Sequence, residues 1–380
     1  MDAKASGWFK RRTLLRTLAA TASAGGLPEL AGLPGWSGRS AMQALPGLPG
    51  LPGLPGLHNV ALASDMRREP SLRFGSLVPR NSVYHQQLLE LGQRWRESLG
   101  GQGRFVVFTD GSQGGESEMV RRIRIGQLQG GLLSVVGLRE IDESVSAMQS
   151  LPLLFRSWEE VDYVRERMRA TMESRFLAKG FVVLAWGDAG WVRFFSRSPA
   201  SRPADFRAMK FFTWGNEPEQ QTIMKDLGYV PVPLETADIL PAVQTGMVSV
   251  VPATPYFAMA TQIFSTASHM LELNWAPIVG AIVLARKPFE EMPAQAQQAL
   301  REHGERVGQV VRQRARAEVG EAVEAMSRRG LKIVRPSAED LKEWDRLAEQ
   351  LYPRIRGRLV PAEVFDEVMR HVKAYRAGSR

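Results

Sequence analysis

Apolar residues follow two alternating spacings along the chain from residue 71 onward. Short runs rich in β-branched and aromatic residues predict strands, whereas apolar residues three or four positions apart predict helices. In NSVYHQQLLELGQRWRESLG, for example, Leu88, Leu91, Trp95 and Leu99 fall on one helical face. Because strands and helices alternate with short links, the pattern indicates an α/β protein with a mostly parallel sheet.

The predicted elements follow directly from these runs. The strands are, in chain order, LRFGSL, RFVVFTD, LLSVVG, FVVLAW, AMKFFTW, YVPVPL, MVSVV, PIVGAIVLAR and the start of LKIVRP. The helices between them include ESEMVRRIRIGQL, EPEQQTIMKDLG, TADILPAVQTG and TPYFAMATQIF. Ser157 and Glu160 predict a capping box for the helix that closes on Gly180. A helix from Pro293 to about Arg329 is long enough to cross between two domains, so we expect a cleft between two lobes.

The first 63 residues do not have the pattern of a folded domain. WFKRRTLLRTLAATASAGGL places Arg11 and Arg12 before a short apolar run, which resembles a twin-arginine export signal. Ala63 before Ser64 ends a small-residue cleavage site, so the mature chain is expected to begin near Ser64. The Leu-Pro-Gly repeat between them is too short for a collagen triple helix and is interpreted as low-complexity chain removed with the signal. A disordered basic tail and a retained interaction arm are the alternatives.

Composition narrows the classes of function. The chain has 380 residues, of which 44% are hydrophobic and 23% are charged, which is enough for a sizeable core. The formal net charge is +9, and part of this excess lies in the first 63 residues, so nucleic-acid binding is not indicated. The chain has no cysteine, which excludes disulfides, thiolate metal sites, a cysteine nucleophile and a lipid-modified cysteine.

The common catalytic and phosphate-binding motifs are absent. No GxxxxGK[ST], GxGxxG, GxSxG or HExxH occurs, and the five histidines have no metal-ligand spacing. The glycine-rich stretch DGSQGGESE precedes a helix, but Glu116 and Glu118 argue against phosphate, so it is interpreted as a turn lining the cleft. We therefore expect no enzyme activity, no metal and no cofactor.

Six passages, in this order, resemble the solute-binding proteins of TRAP transporters, the DctP family. They are LRFGSLVPRNSVYHQ, DGSQGGESEMVRRIRIGQLQGG, LPLLFRSWEEV, AWGDAGWVRFFS, RPADFRAMKFFT and LPAVQTGMVSVV, within residues 72–375. The resemblance implies an α/β, two-lobed periplasmic-binding-protein-like fold with a ligand cleft between the lobes and a long late helix spanning both. It also implies a division into residues 64–190 (lobe I), 191–275 (lobe II), 276–312 (lobe I return strand and start of the long helix) and 313–380 (end of the long helix, lobe II return and C-terminal helices).

The resemblance also implies which residues bind the ligand. Arg193 in GWVRFF matches one cleft arginine of the family, whereas Phe212 stands where the family's carboxylate-binding arginine is expected. The family's Asp-Gly-Gln-Glu-Asn-Pro is replaced by SVVPATP, which puts Thr254 near the usual asparagine. Phe212 as an ordinary core residue is the alternative interpretation. The candidate ligand-binding residues are Arg193, Phe212, Trp214, Trp186, Asp188, Glu116, Thr254, Tyr256 and Trp275.

These departures predict a pocket that is more aromatic and less charged than is usual in the family. The expected function is capture of a small organic acid, a monocarboxylate with an apolar or aromatic body, in the periplasm and its delivery to integral-membrane TRAP permease subunits. The alternative is a ligand-sensing or scaffold protein that keeps the same fold without a transport role.

Overall fold

The computed structural model describes residues 70–215 and 217–378 of the chain. The export signal, the Leu-Pro-Gly repeat and the cleavage site near Ala63 lie outside the described residues.

The strands and helices alternate through the described chain. The strands are β1 (Ser71–Ser76), β2 (Arg104–Phe108), β3 (Gly130–Ser134), β4 (Phe181–Trp191), β5 (Arg193–Ser196), β6 (Lys210–Trp214), β7 (Val230–Leu234), β8 (Val250–Ala253), β9 (His269–Leu271), β10 (Pro277–Ala285) and β11 (Lys332–Val334). The helices are α1 (Val83–Ser98), α2 (Glu116–Arg124), α3 (Val135–Leu138), α4 (Trp158–Ala178), α5 (Pro218–Asp226), α6 (Ile239–Thr245), α7 (Pro255–Ala260), α8 (Arg286–Glu290), α9 (Ala294–Arg328), α10 (Ala338–Ile355) and α11 (Ala362–Gly378).

The strands form two sheets, which define the two lobes. The first lobe holds the order β2-β1-β3-β10-β4 and the second the order β11-β9-β5-β8-β6-β7. In the first sheet β1, β2 and β3 are parallel, and the return strand β10 runs antiparallel to β3 and β4. In the second sheet β6, β7 and β8 are parallel, and β5 is antiparallel to β8 and β9. This is the α/β, two-lobed architecture expected from the sequence, but the sheets are mixed rather than mostly parallel, because β10 and β5 run antiparallel to their neighbours.

The chain passes between the sheets at several points. The long strand β4 and the short strand β5 are separated by Val192 alone, so one extended segment leaves the first sheet and enters the second. The return strand β10 follows β9 after a short link. Helix α9 then leads from β10 back to β11 at the edge of the second sheet.

Two glycines allow the long helix to lie directly on β4. A Cβ atom at Gly304 would come within 2.5 Å of the Leu184 carbonyl oxygen, and one at Gly308 would come within 2.6 Å of the Trp186 carbonyl oxygen. Any side chain at either position would push α9 away from the sheet. From the next turn, Arg312 donates a hydrogen bond to the same Trp186 carbonyl oxygen at 2.6 Å.

The N-terminus of α4 differs in detail from the predicted capping box. The Ser157 hydroxyl accepts a hydrogen bond from the Glu160 N–H as expected. The Glu160 carboxylate, however, accepts from the Arg156 N–H and from the Arg376 guanidinium of α11. Tertiary packing of α11 on α4 therefore takes the carboxylate that a capping box would use.

The sequence pattern missed three local features. LLSVVG continues as a strand only to Ser134, whose side chain then caps the short helix α3. Strands β5 and β9 were not predicted, because each is only a few residues long and is held by pairing with neighbouring strands.

Candidate functional site

Two adjoining cavities lie where the two sheets face each other. The first, here called the cleft cavity, has a volume of about 200 Å³, and the second, here called the chamber, about 210 Å³. Both cavities are bordered by the shared residues Val136, Gln149, Val192, Phe212, Trp214, Pro252 and Ile278. The two cavities therefore lie side by side, with these residues between them.

The cleft cavity is built from strand ends. In the first lobe it is bordered by the residues that end β1 and β3 and by the last part of β4, and in the second lobe by the ends of β6 and β8 and the start of α7. Carboxyl ends of parallel strands collect at one edge of a sheet, and ligands of α/β folds bind there. The fold thus places a cavity at the position expected for a ligand.

The structure brings most of the nine candidate residues to this space. Those that border the cleft cavity are Glu116, Asp188, Phe212, Trp214, Thr254 and Tyr256. Trp275 borders the chamber. Arg193 and Trp186 border neither cavity.

The structure corrects the predicted position of Trp186. It was placed near a strand end, but β4 continues to Trp191, so Trp186 lies in the middle of the strand. Its ring packs edge-on against Phe176 of α4 at 6.2 Å between centroids, and its Nε1 donates to the Glu173 carboxylate at 3.0 Å. Trp186 therefore belongs to the packing between β4 and α4.

Arg193 starts β5 and borders neither cavity, although residues beside it do. Its neighbours Val192 and Phe194 border the chamber, and its register partner Ala253 borders the cleft cavity. The side chain is half-buried, and its Nε has no hydrogen-bond partner among the described residues. Burial lowers the pKa of this guanidinium, although the charge of Glu272 opposes the shift. A cation in this state gains from any anion that reaches it.

Glu116 is held at the first turn of α2 by hydrogen bonds from the first lobe. One carboxylate oxygen accepts from the Ser134 N–H at 2.8 Å, and the other accepts from the Ser134 hydroxyl at 2.7 Å and the Gly137 N–H at 2.9 Å. Burial raises the pKa of Glu116, although these hydrogen bonds lower it. The carboxylate therefore fixes the end of β3 and the start of α3 in the cleft wall.

Asp188 borders the cleft by its position but directs its carboxylate into the protein. The side chain is fully buried and accepts from Arg165 of α4 at 2.7 Å and from Arg316 of α9 at 2.6 Å. Arg316 also pairs with Asp162 at 2.7 Å and lies over the ring of Trp158. Burial raises the pKa of Asp162, but the hydrogen bonds from Arg316 together with the charges of Arg165, Arg316 and Arg312 outweigh it, so the pKa is below its ordinary value. This network ties β4 to α4 and α9 beside the crossing to β5.

Phe211 and Phe212 lie on opposite faces of β6, as the alternation of side chains in a strand requires. Phe211 packs with Phe194 and Tyr229 on the face toward the chamber. Phe212 is 4% exposed and meets Trp214 edge-on at 4.9 Å between ring centroids. Phe212 is thus part of the second lobe's core and also of the boundary shared by both cavities.

Hydroxyl-bearing residues of α1 and of the start of α7 also border the cleft cavity. The Thr254 hydroxyl caps α7 by accepting from the Phe257 N–H at 3.3 Å. The Tyr84 hydroxyl donates to the Asp188 carbonyl oxygen at 3.4 Å, and its ring lies 6.2 Å from that of Tyr256. Burial raises the pKa of both tyrosines, so both hydroxyls stay protonated at neutral pH.

The sequence pattern did not predict an ion pair that crosses the cleft. Arg139, which follows α3 in the first lobe, lies 3.4 Å from the carboxylate of Glu217, which precedes α5 in the second lobe. Burial raises the pKa of Glu217 to about 7, although the charge of Arg139 opposes the shift. The two residues are far apart in sequence and follow no local pattern, so only the fold reveals the pair.

All charged residues in the cavity walls are acidic. The charged residues that border the two cavities are Glu116, Asp188 and Glu217, and no lysine or arginine is among the lining residues. Within residues 70–215 and 217–378, no group of three or more histidines or carboxylates could hold a metal ion. In the same described ranges, no helix has an apolar stretch long enough to cross a membrane.

The family model for bacterial extracellular solute-binding proteins, family 7 (DctP), matches residues 74–357. The chain belongs to this family. The match begins within β1 and ends after α10, so it includes both sheets and both cavities. Members of this family are solute-binding proteins, and the chain is accordingly not an enzyme.

The curated relatives have low sequence identity to this chain or align with only part of it. The 2,3-diketo-L-gulonate-binding periplasmic protein YiaO of Escherichia coli is 23% identical over 280 residues, which is 70% of this chain and 80% of YiaO. The uncharacterized protein YiiZ of Salmonella typhimurium is 32% identical over 161 residues, which is 41% of this chain and 48% of YiiZ. This alignment therefore spans about half of YiiZ.

Solved structures show the same fold at low identity. The sugar acid binding protein DctPAm of Advenella mimigardefordensis, in complex with galactonate, superposes with a TM-score of 0.74 at 15% identity. The superposition covers 80% of this chain and 99% of DctPAm. It supports the two-lobed architecture with a long late helix.

Proposed function

We propose that the protein is the extracytoplasmic solute-binding subunit of a TRAP-type transporter. It captures a small organic acid in the cleft between its lobes and delivers the acid to integral-membrane permease subunits. The family match, and the similarity to YiaO and DctPAm, which bind sugar acids, support this role. Neither nucleic acid nor a cofactor takes part.

We further propose that the ligand carries a single carboxylate and an apolar or aromatic body. The observation that carries this proposal is the composition of the cavity walls, which contain mainly aromatic and aliphatic side chains, the acidic residues Glu116, Asp188 and Glu217, and no lysine or arginine. A second carboxylate would be buried there without a cationic partner, which is costly. Arg193, half-buried beside the cavities with its Nε unpaired, is the cation proposed to meet the one carboxylate when the lobes close.

A matched pair of acids tests this function. Hexanoate and adipate have the same number of carbon atoms, and adipate carries a carboxylate in place of the terminal methyl group. In isothermal titration calorimetry we expect hexanoate to bind at least a hundredfold more tightly, since a buried, unpaired charge costs at least ~3 kcal/mol. Succinate, malate and fumarate are expected to bind weakly or not at all. Tight binding of adipate or succinate would refute the proposed specificity.

A further inference from the structure

The chamber extends the cleft into the second lobe. Its walls come from the sheet face that carries Phe194 and Phe211, from helix α5 and from helix α10. The apolar residues that α5, α10 and the segment after α10 contribute are Ile223, Met224, Leu227, Trp344, Leu347, Leu351, Ile355 and Leu359. The chamber is therefore lined largely by apolar side chains, with Gln149, Ser150, Glu217 and Gln220 as its polar residues, and it adjoins the cleft cavity.

The polar atoms of two aromatic residues in the walls, Trp344 and Tyr229, are engaged outside the chamber. The Trp344 Nε1 donates to the Ser201 carbonyl oxygen at 2.7 Å, and the Tyr229 hydroxyl donates to the Pro203 carbonyl oxygen at 3.3 Å. Both rings therefore offer the chamber apolar surface. Glu217, at the side facing the first lobe, is the one charged residue in the chamber lining. A carboxylate deep in the chamber would have no cationic partner in the lining.

The junction between the two cavities carries an unpaired acceptor. Gln149 borders both cavities, and its Oε1 is buried without a hydrogen-bond partner among the described residues. A buried, unsatisfied amide oxygen is unfavourable unless a donor reaches it. Only a hydrogen-bond donor could satisfy this oxygen, and an unsubstituted alkanoate carries none, so Gln149 marks the polar junction beyond which apolar side chains dominate the chamber lining.

The chamber is large enough for a hydrocarbon group. An apolar cavity of ~150 Å³ in another protein takes up benzene, and the chamber here has a volume of about 210 Å³. Its aromatic walls, in which Phe194 lies 5.8 Å from Phe211 and 5.6 Å from Trp344 between ring centroids, are held rigidly by mutual packing. A preformed apolar space of this kind binds hydrocarbon groups without first having to open.

We propose that the chamber binds the apolar tail of an amphipathic acid, a straight aliphatic chain or a terminal aryl ring, while the carboxylate stays on the cleft side of Gln149. This inference rests on the proposed function, because it concerns the tail of the same ligand. It sets the substrate class as medium-chain or aryl-terminated alkanoic acids. Short acids and sugar acids would leave the chamber unfilled.

A chain-length series tests the proposal on the unaltered protein. Titration calorimetry with butanoate, hexanoate, octanoate and 4-phenylbutanoate should show affinity rising about fourfold for each added methylene group, since each buried methylene is worth about 0.8 kcal/mol. Octanoate should therefore bind on the order of a hundredfold more tightly than butanoate. Affinity that is independent of chain length would overturn the chamber assignment while leaving the proposed function in place. Binding of sugar acids alone, with none of the series bound, would overturn both the chamber assignment and the proposed apolar specificity.

A variant that fills the chamber with a larger side chain, compared with the same exchange elsewhere on the surface, tests the proposal independently. Met224→Trp inserts a large ring from α5 into the chamber at a partly buried position, and Met247→Trp makes the same exchange at a site that is 53% exposed and borders neither cavity. We expect Met224→Trp to weaken octanoate binding about tenfold or more and to leave butanoate binding within about twofold. Met247→Trp should change neither. Equal effects of the two variants on octanoate, with both folded by circular dichroism, would contradict the proposal.

Discussion

Arg193 and Phe212 are the two residues that bear most directly on ligand choice. Arg193 is a half-buried guanidinium with an unpaired Nε beside the cavities, and Phe212 is a buried ring on the boundary between the two cavities. We propose that the first offers a cation for a carboxylate and that the second excludes a second charge from the cleft.

Arg193→Gln should weaken binding of hexanoate about tenfold or more, because a charge-assisted hydrogen bond is typically worth ~1.5–3 kcal/mol. The control is Arg197→Gln, which removes an exposed arginine just after the same strand. Titration calorimetry measures both. Unchanged affinity in Arg193→Gln would mean that Arg193 has a structural role only.

Phe212→Arg should reverse the preference between hexanoate and adipate. The new guanidinium would restore a cation on the shared boundary and would remove apolar surface worth roughly 1.5–3 kcal/mol. Phe212→Leu, which keeps the site apolar, should still prefer hexanoate. If Phe212→Arg folds and prefers hexanoate by the same factor as the unaltered protein, Phe212 does not determine specificity.

At the level of elements, buried ion pairs stabilise the chain beside the crossing from β4 to β5. Asp188 at the end of β4 is fully buried between Arg165 of α4 and Arg316 of α9. These contacts hold the end of β4 against two helices of the first lobe. The one-residue link to β5 is the natural place for the lobes to move.

Arg316→Ala should destabilise the fold strongly. Removing one partner of a buried charge costs roughly 3 kcal/mol or more, and Asp188 would keep only Arg165. Arg328→Ala, in the exposed pair with Glu324 on the same helix, should cost under about 1 kcal/mol. Urea unfolding monitored by circular dichroism measures both changes. Similar losses in the two variants would show that the Asp188 network contributes no more than a surface pair.

The pair between α3 and α5 makes stability depend on pH. In the folded protein burial raises the pKa of Glu217 from 4.5 to about 7, so the folded state binds this proton more tightly than the unfolded chain. The contribution of Glu217 to the free energy of unfolding is therefore full below about pH 4.5 and is lost as the pH rises through about 7.

Glu217→Gln removes this titration. The difference in free energy of unfolding between the unaltered protein and the variant should fall by up to roughly 3 kcal/mol from about pH 4 to about pH 8. Urea unfolding at several pH values measures the difference, and other titrating groups cancel because both proteins share them. A difference that stays constant with pH would show that Glu217 keeps an ordinary pKa in the fold.

At the scale of the whole molecule, the sequence pattern was sufficient for the architecture. Alternating strand and helix patterns predicted most elements, and the long helix predicted from Pro293 to about Arg329 is observed as Ala294–Arg328. These elements are long or strongly periodic, so local pattern determines them. Strands β5 and β9 depend on pairing with neighbours, which a single sequence does not display.

The site was only partly predictable for a related reason. Trp214, Thr254 and Tyr256, which were chosen for their proximity to strand ends, border the cleft cavity, and their role in ligand binding stays a prediction. The same criterion misplaced Trp186, because the end of β4 was set five residues too early. The contact between Arg139 and Glu217 joins distant segments and has no local sequence signal. The same holds for the chamber wall, where Gln149 of the first lobe meets residues of α5 and α10.

The central claim is that the cleft between the lobes holds an acid with one carboxylate and an apolar body. Native mass spectrometry of the purified, full-length protein, followed by release and identification of any bound small molecule, tests this claim most directly. The account predicts a monocarboxylic acid with an aliphatic chain or an aromatic ring. A bound C4-dicarboxylate or a polyhydroxylated sugar acid would contradict it.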